Sequence, residues 1–216
     1  MSALAENLDM AYVLRPASDK KNVLLAVSQY DHCLNAILTK WYSGALPINV
    51  VGILSNHRTA EAMAGFYQIP FHFLPLTPDT KPAQEQRIKN LIAEYSVDLL
   101  VLARYMQILS ADLCQLLPGK IINIHHSFLP GFKGAKPYHQ AHARGVKVIG
   151  ATAHYVTPDL DEGPIIMQEV RPIDHRVTVK EMVHIGHDLE SNALTNAVKL
   201  HCEDRVTVNG VRTVTL

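Results

Sequence analysis

The chain has 216 residues, of which 48% are hydrophobic and 19% are charged, and its formal net charge is zero. This composition is typical of one globular domain with a sizeable core, and it offers no basic surface for nucleic acid or an anionic membrane. We also expect no signal peptide and no membrane span, and the three widely spaced cysteines indicate reduced thiols in a soluble, cytoplasmic protein.

Strand-like apolar runs alternate with helix-like segments along most of the chain. The predicted strands are residues 22–28, 48–54, 70–76, 98–103, 120–124, a strand ending near residue 154, and 164–170. The predicted helices are residues 32–42 with Asp31 as N-cap, 60–67, 83–95 with Pro82 in the first turn, and 111–117 capped by Ser110. This alternation predicts a three-layer α/β domain with a mostly parallel sheet.

The C-terminal part of the chain carries two local signals. Thr178 and Glu181 have the spacing of a capping box, which predicts that a long amphipathic helix covers residues 179–202. The last residues alternate around Asn209 and Gly210, which predicts a β-hairpin with a type I′ turn. We therefore divide the chain into a lead-in of residues 1–20 and a single domain of residues 21–216.

Residues 121–163 concentrate the side chains that could carry chemistry. Asn123 and His125 lie two apart on one predicted strand, so they share a face, and Asp161 follows the next strand in an acidic turn where Gly163 permits close backbone approach. Ligands of parallel α/β sheets bind outside the carboxyl ends of the strands. An amide donor, an imidazole and a carboxylate meeting there could stabilise an oxyanion and move a proton. A purely structural, hydrogen-bonded histidine is the alternative.

A metal site and a phosphate-binding turn are two other kinds of site that the sequence could contain. His125, His126, His139, His142 and His154 could supply metal ligands, but no HExxH, CxxC or HxH pattern is present, and we expect no metal. We expect a packed or solvated role for His184 and His187. The turn after the first strand, residues 28–33, has no glycine and includes Asp31, which would repel a phosphate.

Several motifs carry a resemblance to a known family. They are Asn123-Ile124-His125 followed by Ser-Phe-Leu-Pro at 127–130, Gly-Ala-Thr-Ala-His at 150–154, and Asp-Glu-Gly-Pro-Ile-Ile at 161–166. This pattern resembles the folate-dependent formyltransferase superfamily, and it implies a Rossmann-like formyltransferase fold with a C-terminal β-hairpin. Within this superfamily, residues 8–216 most resemble the formyltetrahydrofolate deformylase family. The motifs that indicate this are at residues 55–57, 103–110, 125–130 and 134–140.

The rival within that superfamily is the glycinamide ribonucleotide transformylase family. This chain has His126 where the transformylase motif has proline, Gln29 and Asp31 at glycine positions of its phosphate-binding loop, and Gln107 in place of an arginine. These departures favour water over a ribonucleotide as the acceptor of the formyl group.

The resemblance implies hydrolysis of 10-formyltetrahydrofolate to formate and tetrahydrofolate, which would supply formate for purine synthesis and balance the one-carbon pool. Asn123 and His125 would stabilise the oxyanion, Asp161 would carry a proton, and His154 would support them or relay a proton. The implied folate-binding residues are Met106, Gln107, Ile108, Leu109, Thr157, Pro158, Asp159 and Leu160.

The resemblance also bears on cofactors, partners and domains. It implies no cofactor besides the folate substrate, no nucleic acid or membrane partner, and a homo-oligomer. The lead-in resembles the remnant of an N-terminal ACT domain, so we expect either a catalytic domain without its regulator or a truncated version of a longer gene product. Formyl transfer to an amine acceptor and a non-catalytic folate-binding protein remain alternatives.

Overall fold

A seven-stranded sheet lies at the centre of the computed structural model, which describes residues 18–77, 79–126 and 137–216 and five isolated positions among the first 17. The strands run in the order β3-β2-β1-β4-β5-β6-β7. The first five pair in parallel, whereas β6 pairs antiparallel with β5 and with β7. The strand bounds are β1 Lys21–Val27, β2 Ile48–Ser55, β3 Phe71–Phe73, β4 Leu99–Leu102, β5 Ile121–His125, β6 Val148–Tyr155 and β7 Ile165–Pro172. The mostly parallel sheet is confirmed.

Helices cover both faces of this sheet. They are α1 His32–Tyr42, α2 Glu61–Phe66, α3 Lys81–Glu94, α4 Ala111–Leu116, α5 Pro137–Arg144 and α6 Val179–Cys202. Successive residues of β1 enter opposite cores, because side chains alternate along a strand. Val23 and Leu25 pack with α1, α2 and α6, whereas Leu24 and Ala26 pack with α3 and α4. The predicted three layers are therefore confirmed.

All three predicted N-cap residues occupy the N-cap position, but only two of them cap their helix with the side chain. Thr178 and Glu181 form the complete capping box of α6, and the Ser110 hydroxyl accepts a hydrogen bond from the backbone N–H of Leu113 at the start of α4. Asp31 occupies the N-cap position of α1, but its side chain makes no capping hydrogen bond. Its backbone has helical angles (φ −106°, ψ −2°) rather than the extended angles typical of a side-chain cap.

The C-terminal hairpin is confirmed, but its predicted turn is wrong. Strands β8 (Val206–Asn209) and β9 (Arg212–Thr215) pair antiparallel, and Asn209 pairs with Arg212. The two turn residues are therefore Gly210 and Val211. Gly210 has a φ of +60° and Val211 does not have a positive φ, which fits a type II′ turn rather than type I′.

Strand β3 covers three residues, fewer than the predicted 70–76. It ends two residues before Pro75, which has no N–H to donate to a neighbouring strand. The motif residues at 127–136 and most of the lead-in lie outside the described residues, so the domain boundary at residue 20 stays a prediction. Within the described ranges, no helix is long and apolar enough to cross a membrane.

Candidate active site

The strand register brings Asn123 and His154 together at the carboxyl end of β5. The two residues are direct partners across the antiparallel β5–β6 ladder, so their side chains share one face. Asn123 Nδ2 lies 3.4 Å from His154 Nε2. His125 lies two residues along the same face of β5, and the three side chains therefore line one short stretch of the sheet.

Asp161 joins this group from the loop after β6. Its Oδ2 lies 3.2 Å from His125 Nδ1, and its Oδ1 lies 3.5 Å from His154 Nε2. Hydrogen bonds from His125 and then from His154 hold the pKa of the Asp161 carboxyl well below its usual range, which outweighs the effect of burial. Asp161 is therefore a carboxylate at neutral pH.

The hydrogen bonds of His154 limit what this residue can do. His154 is 2% exposed, and its Nδ1 lies 2.9 Å from the Tyr155 carbonyl oxygen, which can only accept. Nδ1 therefore carries the proton. In the neutral ring, Nε2 then accepts a hydrogen bond from Asn123. In the protonated ring, it donates one to Asp161. A proton relay requires a side chain that can do both.

The turn that presents Asp161 has an unusual backbone. Asp161 has a φ of +58°, a left-handed conformation that aspartate and asparagine tolerate better than most residues. A Cβ at Gly163 would lie 1.8 Å from the Tyr155 carbonyl oxygen, so only glycine fits there. The predicted close backbone approach at Gly163 is confirmed.

A cavity of about 270 Å³ opens beside these residues. Asn123, His125, His154 and Asp161 line it, and so do all eight residues proposed from the sequence to bind folate, at positions 106–109 and 157–160. Met106, Ile108 and Leu160 are each more than half exposed at this cavity. Apolar side chains exposed beside a concave polar site favour a ligand with a flat apolar part.

The cavity wall at residues 104–110 is anchored to its neighbours. The Ser28 hydroxyl donates to Asn56 and accepts from the backbone N–H of Met106. On the other face of the sheet, Tyr105 donates to Gln84 of α3. The turn after β1 thus supports the cavity wall through Ser28, and its Asp31 is exposed.

Sequence reasoning missed a buried polar cluster on the α6 side of the sheet, which we call the Glu190 cluster and define as His32, Arg104, Tyr138 and Glu190. Glu190 is 0% exposed. Its carboxylate accepts from His32 Nε2 at 2.7 Å and from the Tyr138 hydroxyl at 3.1 Å, and it lies 3.4 Å from Arg104 Nε. Burial raises the pKa of Glu190, but the bond from His32 and the charge of Arg104 outweigh it and lower that pKa.

One local signal indicated a close contact on α6, although not the cluster itself. Gly186 lies in the interior of α6, where glycine is unfavourable, and a Cβ there would meet the Tyr138 hydroxyl at 1.9 Å. The glycine therefore lets Tyr138 reach Glu190 one helical turn further along.

We expect Tyr138→Phe to lower the free energy of unfolding by about 1.5–3 kcal/mol, because it removes a hydrogen bond to a buried carboxylate. Urea denaturation measures this, with Tyr42→Phe as the matched control, since Tyr42 is 75% exposed. Equal stabilities of the two variants would contradict the importance of the Tyr138 bond.

In the part of the chain that the structure describes, the histidines named for a metal site are not brought together as a group of three ligands. Among the described residues, the one group of three metal-ligating side chains is His32, Cys33 and Glu190, whose ligand atoms lie within 4.8 Å of one another. Burial and then the charge of Glu190 raise the pKa of the Cys33 thiol far above its usual value, so the thiol is neutral. His139, His142 and His184 are exposed, and His187 stacks on His32 at 3.9 Å.

Comparisons with known proteins agree with the fold and the site. Residues 21–198 match the family model described as Formyl transferase. A glycinamide ribonucleotide transformylase from Symbiobacterium toebii has a similar structure, with a TM-score of 0.85 and 28% identity, and the match covers 95% of this chain and 98% of that one. The chain is therefore of the formyl transferase class.

Two proteins that are more similar to this chain identify its family within that class. A formyltetrahydrofolate deformylase from Corynebacterium sp. (strain P-1) is 52% identical over 215 residues, which are 100% of this chain and 75% of that protein. The structure of a formyltetrahydrofolate deformylase from Burkholderia mallei superposes with a TM-score of 0.94 at 47% identity, covering 100% of this chain and 76% of that one. The chain belongs to the formyltetrahydrofolate deformylase family.

Proposed function

We propose that this protein hydrolyses 10-formyltetrahydrofolate to formate and tetrahydrofolate. The observation that carries the proposal is the contact of one carboxylate, Asp161, with both His125 and His154 at a cavity lined by the eight expected folate residues. The names of the similar proteins support the same reaction. Supply of formate for purine synthesis, a cytoplasmic location and a homo-oligomeric state are further parts of the proposal.

The proposed reaction begins when water attacks the formyl carbon. The new C–O bond places negative charge on the formyl oxygen, which Asn123 Nδ2 and protonated His125 stabilise by donating hydrogen bonds. The His125 Nε2 atom is buried and has no hydrogen-bond partner among the described residues, so it is available for this oxygen. Asp161 accepts a proton from the attacking water.

The second step breaks the bond between the formyl carbon and the folate nitrogen. That nitrogen must gain a proton as it leaves, and Asp161 returns one to it, with His154 as the relay. Formic acid loses its remaining acidic proton to solvent and leaves as formate. The folate ring system is held by main-chain groups of residues 106–109 and 157–160, with Met106, Ile108 and Leu160 against its apolar surface.

Water is proposed as the acceptor because the turn after β1 offers no site for a ribonucleotide phosphate. The Ser28 hydroxyl is already hydrogen-bonded to Asn56 and Met106, and Asp31 would repel a phosphate. No metal and no cofactor besides the folate substrate belong to the proposal, since a side-chain carboxylate and two imidazoles can carry the protons.

The test is incubation of the purified protein with 10-formyltetrahydrofolate, with and without glycinamide ribonucleotide and after dialysis against a chelator. We expect the same rate of formate release in all three cases. Formylglycinamide ribonucleotide as the main product would contradict water as the acceptor, and loss of activity with rescue by zinc would contradict a metal-free reaction. Folate binding without turnover would favour the non-catalytic alternative.

A further inference from the structure

Arg104 combines a strained backbone with a buried charge. It follows β4 with a φ of +64°, a conformation that is uncommon for any residue except glycine, and it is only 9% exposed. Arginine is rarely buried without full pairing. Strained, buried charges of this kind concentrate at functional sites.

The guanidinium of Arg104 is incompletely paired. Nε lies 3.4 Å from Glu190 Oε2, a contact without hydrogen-bond geometry, and Cζ lies 5.3 Å from the centre of the Tyr30 ring. Nε and Nη1 are buried and have no hydrogen-bond partner in the part of the chain that the structure describes. A guanidinium has five N–H donors, so most of its capacity to bind an anion is unused.

Glu190 forms an ion pair with Arg104 but accepts no hydrogen bond from its Nε or Nη1 atoms. The Glu190 carboxylate is occupied by His32 and Tyr138, which donate to its two oxygens at 2.7 and 3.1 Å. Its charge offsets that of Arg104, which lowers the cost of keeping the cation buried. Nε and Nη1 of Arg104 are thus left without an acceptor among the described residues.

Arg104 borders the reaction cavity. It lines the cavity together with His125 and His126. The His126 ring stacks on the His125 ring, with centroids 5.1 Å apart. Burial, followed by the charges of Arg104 and His125, lowers the pKa of His126 to about 4, so this ring adds no second positive charge at neutral pH.

We propose that Arg104 is the binding site for a small monocarboxylate, and that this ligand is the formate released by hydrolysis, an assignment that rests on the proposed function. Formate is planar, and its two oxygens match the fork of a guanidinium, which binds carboxylates in a bidentate manner. Arg104 lines the same cavity as the folate residues, and its charged neighbour is Glu190. In this proposal Arg104 holds formate and residues 106–109 and 157–160 hold tetrahydrofolate, so the two products contact different residues of one cavity.

The test measures formate binding without turnover. [¹³C]formate is titrated into the full chain at constant ionic strength and followed by NMR, with sodium chloride as the salt control. We expect saturable binding to the unmodified protein, at least about tenfold weaker binding to Arg104→Gln, and partial retention in Arg104→Lys, because lysine keeps the charge but cannot bind both oxygens. Arg87→Gln is the matched control, since Arg87 is exposed on α3.

A measurement on the unmodified protein covers the case in which Arg104 variants do not fold. Formate should shift the side-chain ¹⁵N signal of a buried arginine in protein labelled with [¹⁵N]arginine, and acetate should compete. Lack of saturable binding, or equal binding by Arg104→Gln and the unmodified protein, would overturn the proposed site. A protein that hydrolyses the folate but does not bind formate would refute only this site, whereas one that binds formate but does not hydrolyse the folate would refute only the proposed function.

Discussion

Asp161→Asn is expected to slow hydrolysis by about 10²–10⁴-fold, the usual effect of losing a general acid–base group. The amide keeps the shape of the carboxylate but cannot accept a proton from water or return one to the leaving nitrogen. Folate affinity should change little, because asparagine occupies the same volume in the cavity. Single-turnover rates and folate binding, measured separately, distinguish the two effects.

The backbone at this position makes the substitution a fair test. Asparagine tolerates the φ of +58° found at Asp161, so the loop should keep its conformation. Asp188→Asn is a suitable control, because Asp188 is exposed on α6. Retention of more than about a tenth of the rate by Asp161→Asn would contradict its role as the proton carrier.

His125→Ala and Asn123→Ala are each expected to slow the reaction by about 10²–10³-fold, the usual effect of losing one oxyanion donor. Because both donate to the same oxygen, the double variant should lose less than the product of the two single effects. The coupling is measured by comparing kcat/KM for the unmodified protein, the two single variants and the double variant. His139→Ala, on the exposed side of α5, is the matched control.

A double variant whose loss of rate equals the product of the two single losses would contradict a shared oxyanion. An effect confined to KM would instead place Asn123 or His125 in substrate binding, because a donor that acts only in the transition state changes kcat.

Features that depend on a few neighbouring residues could be predicted closely. Helix α6 begins and ends where predicted, because the Thr178–Glu181 capping box satisfies the first backbone N–H groups within one turn. The buried strands were likewise recognisable, since parallel strands covered on both faces are continuous apolar runs. The hairpin turn was misplaced by one residue, because pairing of Asn209 with Arg212 moved Gly210 to the first turn position.

The candidate catalytic residues were recognisable partly from spacing and partly from motifs. Alternation along a strand by itself places Asn123 and His125 on one face. The position of His154 opposite Asn123 depends on the register of β5 and β6, which spacing alone does not determine. The acidic turn after the next strand indicated Asp161, the family motifs named His154, and the structure places the two residues in contact with each other.

By itself, the sequence determined most of the strands and helices along the chain, the positions of the N-caps, and the candidate residues that line the cavity, because these follow from local periodicity and from short motifs. Only the tertiary structure decided the Glu190 cluster. His32 and Glu190 are 158 positions apart, and they meet because α1 and α6 pack on the same face of the sheet. Buried polar contacts of this kind depend on which helices become neighbours, and no local pattern at Arg104 or Glu190 specifies that.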